Sequence, residues 1–253
     1  MQFILIVLPV FVILGTGFLG QKLLKLNIKP ISTMALYMMM PFLAFNTFYT
    51  NQLNSDYFYM FLFNIILILV LVVITVVLGK ILKADRSRMS AMLLGTAFPN
   101  MGNYGAPVVL FAFGSTAFDY AIITMVIQML LISTIGIFIA SYGSEKSTTL
   151  KDALINVLKM PVLYGVLLGV LFQITHITVP PTILESIRLI GSASIPTVTL
   201  ILGMQLAEIK PQKMEYKYVN TITMIRMVIS PLVIAGIVMF MPVNDVVKMY
   251  LSY

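Results

Sequence analysis

The sequence contains no cysteine, which excludes a disulfide framework and any thiolate metal site. Charge is scarce: Asp, Glu, Lys and Arg make up 10% of the 253 residues, against about 25% in soluble domains. No Asp or Glu falls in the middle of a long apolar run, so the chain offers no carboxylate relay of the kind that carries protons through membranes. It has no phosphate-cradling Gly-rich loop, no metal-ligating cluster and no nucleophile beside a base, so nothing points to an enzyme, a metal or a cofactor. The single histidine, His176, precedes Pro180-Pro181 in a loop and reads as incidental. What is present is hydrophobicity. Apolar residues make up 60% of the chain and the mean hydropathy is +1.01, which predicts an all-α polytopic membrane protein. The net charge of +7 does not imply nucleic acid, because membrane proteins gather Lys and Arg in cytoplasmic loops. Met1-Gln2 supplies no positive region ahead of the first apolar run, so that run reads as a retained helix rather than a cleaved signal.

Runs long enough to cross a bilayer, roughly 20 residues, fall at Phe3–Gly20, Ile31–Tyr49, Tyr57–Gly79, Met89–Phe113, Tyr120–Tyr142, Met160–Ile174, Ile183–Leu206 and Tyr218–Met241. Val246–Tyr253 reads as the start of a ninth. Lys22, Lys25 and Lys29 follow the first span, and Lys80, Lys83, Arg86 and Arg88 follow the third. Lys146, Lys151 and Lys159 follow the fifth, and Lys210, Lys213 and Lys217 follow the seventh. The alternate loops carry Asp56, Asp119 and Asp245 with almost no cations. The positive-inside rule then predicts a cell-membrane protein with the N-terminus outside.

A weak internal repeat accompanies these spans. Pro9 in LPVFVILGTG and Pro161 in MPVLYGVLLG are 152 residues apart, and Pro41 and Pro196 are 155 apart. A repeat of five spans has an odd number of crossings, so its second copy is inverted in the membrane, a common transporter plan. The predicted organisation is a first repeat over 1–142, a short cytoplasmic loop over 143–159, and an incomplete second repeat over 160–253. The same offset carries Asn100 to position 252, where the sequence stops, so the chain reads as truncated at its C-terminus. The alternative is an eight-span protein with a short tail.

The fourth span carries the most informative stretch, Gly95–Gly114, GTAFPNMGNYGAPVVLFAFG. Pro99 removes a backbone donor, Gly102 and Gly105 loosen the chain, and Asn100 and Asn103 bring polar amides. Pro107 suits the first turn of a restarting helix. Interrupted backbone at membrane depth survives only where protein buries it or it lines a cavity, and in transporters such breaks bind substrate. A half-helix restarting near Gly105–Pro107 would present unpaired N–H groups and about half a positive charge, enough to hold a carboxylate without a buried lysine. The alternative is a kinked packing helix. For Asn103 an equally good reading is an amide bonded to neighbouring backbone.

Other residues were weighed against this centre. Asn46 lies mid-way along the second span and faces either the site or a neighbouring helix. Arg226 is the one clear charge inside a span. It neutralises a substrate carboxylate, pairs structurally, or snorkels to the interface. Pro41 reads as a kink, Asn64 and Gln128 as interhelical hydrogen bonds, and Glu185 with Arg188 as an i,i+3 pair.

FPNMGNYGAPVVLFAFG resembles the fourth-span signature of the auxin efflux carrier family, which includes plant PIN-type carriers and bacterial permeases for small organic acids. Pro41-Phe-Leu-Ala-Phe-Asn46 with Thr50-Asn51 is similar to the second span of that family. Gly191-Ser-Ala-Ser-Ile-Pro196 with Leu202-Gly203-Met-Gln-Leu206 is similar to its seventh, and Arg226 through Ser230-Pro231 to its eighth. The resemblance implies ten spans in two inverted repeats of five. Spans one, two, six and seven would form a scaffold that dimerises, and the others a transport unit. Broken spans four and nine would cross at the centre, with Pro99 and Asn100 at the substrate site. The loop at 144–159 is short, as in bacterial members. The expected function is secondary transport of small organic anions by alternating access, with substrate binding at Pro99, Asn100, Gly102, Asn103, Gly105, Asn46 and Arg226. The expected partners are the anion, the lipid bilayer and a second copy of the chain. A sodium- or proton-coupled exchanger and a non-transporting sensor or assembly subunit are the alternatives.

Overall fold

The computed structural model describes residues 2–52, 54–144, 149–210, 214–242 and 248, without the side chains of 2–6 and 103. Lys146, Lys213, Asp245 and most of Val246–Tyr253 lie outside the described residues. The described chain is helical, in the order α1 (Gln2–Leu24), α2 (Ile28–Met34), α3 (Met40–Thr50), α4 (Ser55–Ile81), α5 (Arg86–Ala97), α6 (Ala106–Leu131), α7 (Ile137–Ser144), α8 (Leu150–Leu158), α9 (Pro161–Ile174), α10 (Pro181–Glu208), α11 (Tyr216–Met224) and α12 (Ser230–Met239). Single π-helical turns join α2 to α3 at Ala35–Met39, α6 to α7 at Ile132–Gly136 and α11 to α12 at Ile225–Ile229; a fourth, Met101–Gly105, leads into α6.

Among the described residues six apolar stretches are long enough to cross a membrane, Val7–Leu24, Ile28–Thr50, Ser55–Ile81, Ala106–Ser144, Pro181–Glu208 and Tyr216–Met239, and Leu150–Leu158 with Pro161–Ile174 adds a seventh only if the pair, bent by 66°, is taken as one broken span. The 39-residue stretch Ala106–Ser144 is two segments in one. Gly114 takes φ 80° and ψ −172°, a conformation open to glycine and strained for any other residue, and it separates the end of span four from span five. Helix α9, at 14 residues and about 1.5 Å per residue, reaches about two-thirds of the way across a 30 Å hydrocarbon core. The expected sixth span, Met160–Ile174, is therefore too short to cross alone.

Three of the π turns share one cause. The turns at Ala35–Met39, Met101–Gly105 and Ile225–Ile229 each end two residues before a proline: Pro41, Pro107 and Pro231. A proline ring collides with the carbonyl four residues earlier and has no N–H to offer it. Widening the preceding turn moves that carbonyl aside. The i→i−5 bonds that mark the widening are present, with the Met40 N–H on the Ala35 carbonyl, Gly105 N–H on Asn100 O at 3.1 Å and Ser230 N–H on the Ile225 carbonyl.

The chain divides into two compact units, each discontinuous in sequence. The first comprises Met1–Leu53, Asn100–Val126 and Leu158–Pro211, so it gathers spans one, two, six and seven together with the second half of span four and the start of span five, which the resemblance assigns to the transport unit. Within it α1 packs along α10, and α3 packs along α9 and α10. Small residues let these backbones approach, the usual device between helices that no hydrophobic effect drives together. A Cβ at Gly203 would strike the Leu14 carbonyl, one at Gly17 the Leu200 carbonyl, and one at Gly169 would come within 2.8 Å of the Phe45 carbonyl. Polar side chains tie the ends. Gln21 Nε2 donates to Glu208 Oε1 at 2.7 Å, and Gln173 Nε2 donates to Asn51 O at 2.7 Å. The Val179 N–H donates to the Tyr49 hydroxyl at 3.0 Å.

The second unit comprises Asn54–Pro99, Ile127–Val157 and Gln212–Tyr253. Here α5 packs against α4, α7 and α11. The Thr75 and Thr96 hydroxyls hydrogen-bond at 2.8 Å, and Ser90 Oγ donates to Ile139 O at 2.7 Å. At the lysine-rich end Arg88 grips Glu215 with two bonds, Nε to Oε2 at 2.7 Å and Nη2 to Oε1 at 2.6 Å, while Nη1 reaches Asp85 at 2.7 Å. Lys217 Nζ caps the Leu82 carbonyl at 2.9 Å. The Arg88 hydrogen bonds hold the Glu215 carboxyl below its ordinary range.

Two outcomes follow. Gly203→Val overpacks the α1–α10 seam at a cost of about 1–3 kcal/mol. Gly15→Ala, with nothing within 4 Å of the added carbon, leaves thermal unfolding of the detergent-solubilised protein unchanged. A carboxyl depressed in the folded state stabilises above its unfolded pKa, about 4.3 for Glu, and loses that contribution as pH falls through the folded value. Melting temperatures of the parent and Glu215→Gln therefore differ at neutral pH and converge on acidification below about pH 4.

Candidate functional site

The backbone of span four is interrupted where Pro99 falls. Helix α5 ends at Ala97, and Phe98 leaves it in an extended conformation, φ −118° and ψ 100°. Residues 98–100 are not helical. Coiling resumes at Met101, so the interruption is three residues long and the restart comes earlier than the expected Gly105–Pro107. The physical reason is the π turn: a widened first turn accommodates Pro107 from within the helix, so proline does not have to begin it. The first bond of the resumed helix runs from Gly105 N–H to Asn100 O. The N–H groups at Met101–Tyr104 are thus the ones that the helix itself does not use, and the positive end of its dipole lies there.

Asn100 is exposed and Pro99 is partly exposed. Asn100 already carries a bond through its carbonyl. Gly102 comes near the first unit's helices: an added Cβ would lie 3.2 Å from Met125 Sδ and 4.0 Å from Met40 Cε. The turn Met101–Gly105 also packs against α10. Asn46 lies on α3 six residues after Met40, its amide oxygen buried and without a hydrogen-bond partner. In the first unit, then, Gly102 comes near Met40, the first residue of the helix that bears Asn46. The Asn103 side chain lies outside what is described, while its backbone belongs to the π turn. At Gly105 an added Cβ would meet the flexible Met101 thioether at 2.6 Å and the Asn100 carbonyl at 3.6 Å.

Arg226 is the second residue of the π turn Ile225–Ile229 in the second unit, within Tyr216–Met239. It is half-buried, and no ion pair forms to it among the described residues. A half-buried guanidinium without a carboxylate calls for an anion or for water.

Other residues resolve to structural roles. Gln128 Nε2 donates to Asn64 Oδ1 at 2.8 Å, and Asn64 Nδ2 donates to Met60 O at 2.8 Å, the interhelical bonding expected of the pair. Glu185 and Arg188 form their i,i+3 pair at 3.4 Å. Asp119, expected in a loop, lies inside α6 just past the Gly114 kink and is hydrogen-bonded by Asn51. An apolar groove of about 590 Å³ lies between α3, α9 and the start of α10, lined by Pro41, Phe45, Tyr164, Leu168, Phe172 and Ile183. It contains no charged group and is no place for an anion.

A three-residue gap inside an otherwise membrane-length apolar helix is a transporter feature. A family profile described as membrane transport protein matches residues 3–252. The chain belongs to that family, the auxin efflux carrier family of membrane permeases. No curated protein matches it. The family assignment makes the permease a membrane transporter.

Replacing one partner of the buried Asn64–Gln128 pair leaves the other amide unsatisfied. Asn64→Leu and Gln128→Leu each destabilise the permease, and a double-mutant cycle returns a coupling of about 0.6–2 kcal/mol in detergent unfolding.

Proposed function

We propose that this permease carries small organic anions, carboxylates first among them, by alternating access. The observation that carries the reading is the break at Phe98–Asn100, which leaves the amide end of the resumed helix at Met101–Tyr104 unused by the helix. Such an end holds a carboxylate through N–H groups and dipole, with no lysine to desolvate. Asn100 adds a neutral donor, and the open amide oxygen of Asn46 orients hydroxyl or amino substituents on the ligand. Arg226, without a carboxylate among the described residues, supplies the counter-charge. In this reading Pro99, Gly102 and Gly105 shape the backbone, and Asn103 adds an amide on the same turn.

An inverted repeat fits the packing of the first unit. The Gly17–Leu200 and Gly169–Phe45 approaches are related by 152 residues (17 to 169) and 155 residues (45 to 200), the offsets that separate Pro9 from Pro161 and Pro41 from Pro196. Span one against span seven then mirrors span six against span two. On this plan spans one, two, six and seven are the scaffold, the other spans move, the N-terminus is outside the cell membrane, and two scaffolds pair in a homodimer.

The test is uptake into proteoliposomes across a panel of mono- and dicarboxylates. Asn100→Ala and Arg226→Gln each lower uptake at limiting substrate by ten- to a hundredfold, the effect of losing an ionic hydrogen bond of about 1.5–3 kcal/mol. Arg226→Lys retains part of the activity. Asn100→Ala with normal expression and undiminished uptake of every acid would place the site elsewhere. Counterflow with and without sodium or proton gradients distinguishes uniport from coupled exchange.

A further inference from the structure

Helix α8 is unlike the other helices. It is nine residues long, LKDALINVL, far too short to cross a bilayer, and it lies between the end of span five at Ser144 and the start of α9 at Pro161. A chain emerging from one membrane helix and entering the next has α8 at the bilayer surface. The helix is built to stand by itself. Thr149 and Asp152 form a reciprocal capping box: the Thr149 N–H donates to Asp152 Oδ2 at 2.9 Å, the Thr149 hydroxyl donates to the same oxygen at 2.7 Å, and the Asp152 N–H donates to Thr149 Oγ1 at 3.2 Å. That cap occupies the only acidic side chain of the helix.

Its two faces are chemically distinct. At about 100° per residue, Leu150, Leu154, Leu158, Val157 and Ala153 share one side and Asp152 and Asn156 the other, with Lys151 at the edge beside Leu158, Ile155 on the polar side, and Lys159 just past the helix end. Within α8 the protein buries Ala153 alone. Leu150, Leu154 and Leu158 are 80%, 60% and 49% exposed. A stripe of leucines spaced four apart, left uncovered and flanked by lysines, matches an in-plane interfacial helix. The sign of the charge complements the anionic headgroups of the cytoplasmic leaflet, the side to which the lysine-rich loops assign this segment.

We infer that α8 docks on the membrane surface, with Leu150, Leu154 and Leu158 in the acyl boundary and Lys151 and Lys159 on anionic lipid headgroups. This surface is independent of the anion site. The occupant is lipid rather than protein because the stripe is continuous with the boundary where span five ends and α9 begins. Lysines beside it are favoured at lipid headgroups, whereas the core of a protein interface is depleted of them.

The absence of native cysteine makes the test clean. Full-length Leu154→Cys, Leu158→Cys and Asn156→Cys variants are labelled with an environment-sensitive fluorophore. They are reconstituted in phosphatidylcholine vesicles with and without phosphatidylglycerol. The leucine positions emit to the blue and are quenched by spin-labelled lipid, while the Asn156 position emits as in water and is quenched by iodide. Adding Lys151→Gln and Lys159→Gln lowers the docked-to-undocked ratio in phosphatidylglycerol vesicles roughly fivefold per lysine. Equal, water-like emission at positions 154 and 156 would overturn docking, as would a blue shift that spin-labelled lipid does not quench, the signature of a protein partner. Phosphatidylglycerol dependence unchanged by the lysine variants would overturn the headgroup contact.

Discussion

A backbone amide in hydrocarbon has no water to turn to, and this requirement shapes the permease throughout. Long apolar helices satisfy it internally. Pro9 and Pro196 stay within α1 and α10, but at three other prolines and at one gap the chain takes another arrangement. At Pro41, Pro107 and Pro231 it widens the preceding turn, so proline is absorbed with a local change of pitch. At Phe98–Asn100 it does not repair the helix, and the amide end of the following turn is left to something else. In the function proposed above, that end receives a substrate carrying negative charge.

Electrostatics points the same way. The long helices hold almost no acid, and the clear acid–base contacts, Arg88 with Glu215 and Asp85, and Arg188 with Glu185, belong to helix ends. Arg226 stands apart from them in mid-span, half-buried and without a carboxylate among the described residues. Desolvating a guanidinium without recompense is costly, so an anion that visits and leaves is a more economical explanation than permanent burial. Buried pairs such as Asn64 with Gln128 and Thr75 with Thr96 are neutral and bond to one another.

Much of this was legible in the residues. Hydrophobic runs located the helices, and Pro99 with its neighbouring glycines marked the break. The place where the helix resumes was misjudged, because Gly105 and Pro107 look like restart signals while the π turn that lets coiling begin at Met101 has no composition of its own. Span six was counted as a crossing on hydropathy, which does not show that Pro161 and Thr175 confine the helix to 14 residues. Asp119 was placed in a loop because Gly114 did not announce how sharply it turns the chain. The backbone seams at Gly17, Gly169 and Gly203 were invisible because a glycine's partner is fixed by packing, not by neighbours in sequence. Likewise, no local pattern reveals that Arg226 has no ion-pair partner among the described residues.

The most direct measurement is of the amides themselves. The full-length permease, isotopically labelled and held in nanodiscs, is titrated with a transported carboxylate while the backbone N–H resonances of Met101–Tyr104 are followed. The account predicts saturable shifts at those four positions that track the transport affinity and are absent with a neutral amide analogue. Resonances at 101–104 that stay fixed at saturating carboxylate, while uptake proceeds, would contradict it.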